Sequence, residues 1–192
     1  MESNYYIMLG ASPHWAGPSV TKINEPDAFT NRGRVINEID EPYKFLLEVD
    51  SREKNHLDHP ALDVQVTGKT LLFSKRLITL LNELGIDNIQ YFDANVVYTP
   101  TDTTLDYKVA NIIGAISGVD INNSELIIDD DIIIEIEKLS FDEDKMSGHK
   151  IFRLEESILH IIVHKSIKEA MEASKITGVM FLTDDEFEPG MI

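Results

Sequence analysis

Apolar and polar positions along this chain change period several times, and each change marks an element. Leu71-Leu72-Phe73 is a short apolar run that predicts a strand, and Ser74 stands where a helix N-cap belongs. From Lys75 onward, Leu77, Leu80, Leu81 and Leu84 recur on one helical face, and Gly85 supplies a left-handed stop. Ile89 to Phe92 then predicts the next strand. The same order returns near the C-terminus: Ile161-Ile162-Val163, His164 at the cap, a helix from Lys165 to about Ser174, and a strand from Gly178 to Leu182. Ile167, Ala170, Met171 and Ser174 take the places of Leu77, Leu80, Leu81 and Leu84, with two extra residues counted before the second strand. The recurrence is either an ancestral duplication or the ordinary look of a strand–helix–strand unit, and the second reading is preferred.

Short strands are expected at Tyr5 to Leu9, Tyr43 to Val49, Asp63 to Val66 and Val96 to Thr99. Asp131 to Leu139 predicts a strand that becomes alternating toward its end, as a strand with one wet face does. For Tyr107 to Ile116 the pattern allows two states. Val109, Ile112, Ile113 and Ile116 share a helical face and Asp106 can cap it, so a helix is the favoured reading over a strand. The class that results is α+β: a mixed or mostly antiparallel sheet with two to three packed helices, containing two strand–helix–strand units. We read residues 1–192 as one domain, with a turn-rich part over 1–60, a core over 61–185 and an acidic tail over 186–192. Ser12-Pro13, Gly17-Pro18, Glu25-Pro26, Glu41-Pro42 and His59-Pro60 punctuate the first part.

Charge changes the picture most. The 192 residues hold 17 Lys and Arg against 34 Asp and Glu, a formal net charge of -17. Residues 117–148 alone carry ten acidic and two basic side chains, and the tail adds Asp184, Asp185, Glu186 and Glu188 with no base. Phosphate neutralisation needs clustered Lys and Arg, so a nucleic-acid partner is not expected. Docking on an anionic membrane is disfavoured for the same reason. A basic protein partner is the positive reading, and plain solubility is the alternative. The absence of cysteine excludes thiolate metal sites, disulfides and cysteine nucleophiles. Residues Met1 to Asn4 lack a basic leader, and no apolar run approaches the roughly 20 residues that span a bilayer, so a cytoplasmic location is expected.

Motifs for chemistry were tested in turn. Gly68-Lys69-Thr70 resembles the end of a phosphate loop, but the required upstream glycine is Asp63, and a turn between strands is the better reading. His56-Leu57-Asp58-His59 has the wrong spacing for a helical zinc site and ends at Pro60. His160 and His164 flank a strand-like run. The aspartates Asp129-Asp130-Asp131 lack the alternate spacing of a calcium loop. Trp15, beside a turn, is taken as a lid over the core. Carboxylate pairs abound, and none is singled out as a catalytic dyad. No cofactor and no metal are expected.

Three segments together resemble a known family. The first is Leu71-Leu-Phe-Ser-Lys-Arg-Leu77 with its helix to Leu84-Gly85 and the strand Ile89 to Phe92. The second is Tyr107-Lys-Val-Ala-Asn111 followed by Val119-Asp120 and Ser124. The third is Ile151-Phe-Arg-Leu154, then Ile162-Val163, the helix, and Thr177-Gly-Val-Met-Phe181. Over roughly residues 40–185 the chain resembles the eleventh numbered immunity family of bacterial polymorphic toxin systems, formerly a domain of unknown function. The resemblance implies an antitoxin, a non-enzyme that binds and neutralises a cognate toxin protein made beside it, in competition between bacteria. It carries over no site residue and leaves self-association open. If the toxin has a basic active site, an acidic face would speed association and occlude that site. The candidate contacts are Asp129, Asp130, Asp131, Asp142, Glu143 and Asp144, with Asp184, Asp185 and Glu186 as a second patch. The alternative is an enzyme of unrecognised class, such as a hydrolase reversing a toxin's modification, which would gather titratable groups in a pocket.

Overall fold

The computed structural model describes residues 3–10, 18–24, 30, 32–49, 61–130 and 132–190. In chain order the first elements are β1 (Tyr5–Gly10), β2 (Ser19–Lys22), β3 (Tyr43–Glu48), β4 (Val64–Thr67), β5 (Thr70–Ser74) and α1 (Lys75–Glu83). The middle holds β6 (Ile89–Tyr98), β7 (Thr103–Leu105), β8 (Tyr107–Ile112), β9 (Ala115–Ile116), β10 (Glu125–Asp129) and β11 (Ile132–Lys138). Then come α2 (Glu143–Met146), β12 (Ile151–Leu154), β13 (Ser157–His164), α3 (Lys165–Ala173), β14 (Val179–Leu182) and a 3-10 helix at Asp184–Glu186.

Strands make up 47% of the structure and helices 15%, which corrects the expected α+β class to mostly β. One sheet runs β14-β1-β13-β12-β9, and a seven-stranded one runs β2-β3-β6-β8-β5-β4 with β7 beside β6. β2 and β4, the two edges of the seven-stranded sheet, come near each other, so that sheet is nearly closed and barrel-like. Among the described strands, only β3 with β6 and β9 with β12 pair in parallel. No helix among the described residues is long and apolar enough to cross a membrane.

The largest single departure from the sequence reading is Tyr107 to Ile116. Its first part is β8, antiparallel to β5 on one side and to β6 on the other. Val109, Ala110, Asn111 and Ile112 are all buried, because a central strand covered on both faces is mostly apolar and loses its alternation. Such a run matches a helical stripe as well as it matches a strand, and the flanking strands decide between them. Elsewhere Ser74 accepts a hydrogen bond from Leu77 N at 3.2 Å, and Gly85 adopts φ +72° as a left-handed stop. Gly68-Lys69 forms the turn of the β4–β5 hairpin.

The two helical units share one topology. Chain connection β5–α1–β6 carries a right-side neighbour, β8, inserted antiparallel between its two strands; β13–α3–β14 carries β1 in the same place. Lys75 corresponds to Lys165 and Ile89 to Val179, a constant offset of 90 residues, so no extra residues precede the second strand. Both helices end the same way: Ile86 N donates to Leu81 O, and Ile176 N to Met171 O. Leu77, Leu81, Ile167 and Met171 meet in one buried cluster beneath the helix pair.

Polar joints lock the units together. Arg76 of α1 donates to the carbonyls of Ser174 and Lys175 at the end of α3, and Lys150 Nζ donates to Leu84 O at the end of α1, 3.0 Å away. Each cation sits at the negative end of the other unit's helix. Asp63, 7% exposed, accepts from Ser74 Oγ at 2.7 Å and from Thr177 N at 3.0 Å. Gly178 follows at φ +79°; a Cβ there would lie 2.1 Å from Val64 O, so the joint requires glycine.

Candidate functional site: an acidic, isoleucine-rich hairpin

A second core cluster joins Tyr5, Ile7, Phe152 and Ile162 of the five-stranded sheet to Val119, Ile136, Leu139, Phe141 and Met146. Strands β10 and β11 are anchored on it by Leu126, Ile133 and Ile136. Beyond those anchors the hairpin leaves the body. Ile127 (41%), Ile128 (52%), Ile132 (68%) and Ile134 (63%) are exposed, four of the nine exposed large apolar side chains among the described residues. Scattered exposed apolar residues are ordinary, and four on one hairpin are a local concentration. β10 and β11 pair only with each other among the described residues, and no described strand covers their outer edges.

The hairpin is also acidic. Glu125, Asp129, Asp130, Glu135 and Glu137 are exposed on it against one base, Lys138. Asp129 pairs with Ile132 at the end of the ladder, and Asp130 turns the chain at φ +45°, a conformation that aspartate tolerates. Asp131 lies outside the described residues, as do Trp15 and His56 to His59.

The remaining predicted contacts fall nearer the body, and most have a structural task. Asp142 caps α2, accepting from Lys145 N at 3.4 Å and pairing with Lys145 Nζ at 3.1 Å. Glu143 accepts from Asn4 N at 2.8 Å and Asn4 Nδ2 at 2.6 Å, tying the start of β1 to α2. Burial works to raise the Glu143 pKa, but these bonds and that from Ser3 outweigh it, and the carboxyl sits below its ordinary range. Asp184 accepts from Phe141 N at 2.9 Å, which brings the second acidic patch against the 142–144 segment. Glu186 closes a capping box with Thr183. Asp129, Asp130, Asp144 and Asp185 make no side-chain hydrogen bond or ion pair with the described residues and are the carboxylates left for a partner.

His164 caps α3, with its Nδ1 accepting from Ser166 N at 3.2 Å, and His160 packs edge-on to Phe187. No group of three or more His, Asp or Glu with metal-site geometry occurs among the described residues. A cleft of about 1070 Å³ opens elsewhere on the molecule, and its described lining holds several cations and one carboxylate, Glu155.

The isoleucines were absent from the sequence-based candidates. Their signal was present: Ile127, Ile128, Ile132, Ile133 and Ile134 crowd both sides of a turn, more apolar surface than a hairpin with one wet face needs. Counting charge alone passed over it.

Comparison with family models defines the class first, since the one that matches describes an immunity protein family. That family is Imm11, matched over residues 10–184, and the chain belongs to it. Among curated proteins none matches the chain.

Proposed function

We propose that the chain neutralises a cognate toxin domain in the cytoplasm by binding it through the β10–β11 hairpin. Family membership supports the immunity role. The observation that carries the choice of surface is the set of four exposed isoleucines framed by carboxylates on a hairpin with open edges. Apolar centre and polar rim are the anatomy of a protein interface, in which the buried centre holds the complex and the rim sets approach and register. The partner surface that fits is an apolar patch ringed by Lys and Arg, as around a toxin site that handles anions. Edge-to-edge pairing with a second copy is opposed, because Asp129, Asp130, Glu135 and Glu137 would face their like.

Co-expression with the adjacent toxin, read by pull-down and growth rescue, tests the role. Ile132→Ser combined with Ile134→Ser is expected to leave the melting temperature within about 2 °C, since exposed substitutions change stability little, and to weaken toxin binding at least tenfold. Asp129→Lys with Asp130→Lys is expected to slow association and flatten its salt dependence. Unchanged binding in both variants would overturn the hairpin assignment. A wild-type dimer dissolved by the isoleucine changes would make the hairpin a self-interface instead.

A further inference from the structure

In a molecule with a net charge of -17, four cations line one cleft. The cleft of about 1070 Å³ is lined by Lys22, Arg32, Arg34 and Lys69, contributed by β2, the segment before β3 and the β4–β5 turn. Arg34 and Lys69 are exposed at its rim, while Lys22 contacts Thr70 Oγ1 at 3.5 Å. Glu155 is the carboxylate of the described lining, and Ile158 and Leu159 supply apolar wall.

Beneath this lining lies Arg153, 2% exposed. Its guanidinium donates to Ile158 O at 3.0 Å and Thr30 O at 3.1 Å, both residues of the cleft wall. Among the described residues its Nε has no hydrogen-bond partner, and it makes no ion pair. It also lines a smaller cavity of about 300 Å³ that shares Gly68, Lys69 and Leu159 with the large cleft. Burying a guanidinium without a counter-charge is unfavourable, and desolvation lowers its pKa to about 10.

We propose that this cleft binds a phosphorylated small molecule of nucleotide size, its phosphates held between Arg34 and Lys69, with the buried guanidinium of Arg153 behind the wall in the adjoining cavity. Arg34 and Lys69 come from two separate segments, which suits an anion with charge spread over several oxygens, and forked guanidinium donors match phosphate geometry. The apolar wall formed by Ile158 and Leu159 suits an organic moiety more than a bare ion. The cleft volume is at the upper end of small-molecule sites. This assignment does not depend on the hairpin reading, because it concerns the chain alone.

The probes are ADP, pyrophosphate, citrate and uncharged adenosine, titrated into the full chain by calorimetry at low ionic strength and checked by thermal shift. Saturable binding of ADP and pyrophosphate, weakened at least tenfold by Arg34→Glu or Lys69→Glu and absent for adenosine, is the expected result. Arg153→Met removes the buried charge behind the wall while filling its space, and is expected to weaken binding several-fold in a folded protein. If that variant fails to fold, the two rim variants still decide. Absence of saturable binding by wild type, citrate binding as tightly as ADP, or ADP binding indifferent to both rim changes would each overturn the proposal. Loss of toxin capture by Lys69→Glu with ADP silent would assign the cleft to the protein partner, overturning it too. Hairpin variants that lose toxin yet keep ADP binding would separate the two sites.

Discussion

Single side chains in this protein divide sharply between those that hold the fold and those left over for a partner. Glu143 belongs to the first kind, although charge counting placed it in the second. Its carboxylate takes three hydrogen bonds from Ser3 and Asn4, and it is lowered in pKa by them. A carboxyl whose folded pKa lies below its unfolded value binds its proton less readily when folded, so it stabilises the fold above the unfolded pKa. That contribution is expected to be complete above about pH 4.5, the ordinary value, and to fade as pH falls through the lowered one. Urea unfolding between neutral pH and pH 3 measures it: Glu143→Gln should be less stable than wild type at pH 7, and the gap should narrow in acid. A gap that stays constant with pH would mean the carboxylate charge contributes nothing there. Asp129, Asp130, Asp144 and Asp185 have no such role, and their loss should leave the fold unaffected.

Between elements, the decisive contacts are those joining the two strand–helix–strand units. Asp63 sits where β4, the cap of α1 and the loop before β14 converge, and removing its carboxylate strands the donors of Ser74 and Thr177 in a buried place. Asp63→Ala is expected to cost about 2–4 kcal/mol in denaturant unfolding, and Asp63→Asn distinctly less because an acceptor remains. Equal losses would assign the effect to packing. The units themselves were legible in the chain: helix spacing, the Ser74 and His164 caps and the Gly85 stop each stand where local chemistry puts them. Their shared topology was not legible, because the strand inserted into each comes from a distant segment, β8 in one and β1 in the other. β8 shows the same limit from the opposite side. Ala110 and Ile112 enter one core cluster and Tyr107 and Val109 another, so both faces are covered, and a chain read locally cannot tell that cover from a helical stripe.

Across the whole molecule, the net charge of -17 sets a background that the fold then arranges. Self-repulsion of that size destabilises a compact state and is screened by salt, so the melting temperature should rise as sodium chloride is added from low ionic strength. A flat response would mean that the carboxylates are already compensated within the fold. The arrangement has two poles of interest, an acidic apolar hairpin and a basic cleft, and only the first was foreshadowed, through Asp129 and Asp130. By itself the sequence determined the local elements, the lack of cysteine chemistry, the acidic balance and the family resemblance, because each depends on near neighbours or on a count. Tertiary structure alone decided the mostly-β class, the burial of β8, the structural use of Glu143 and Asp184, and the gathering of Arg34, Lys69 and Arg153 around one cleft. Those outcomes depend on residues far apart in the chain being brought within a few ångströms, and only the pairing of the strands puts them there.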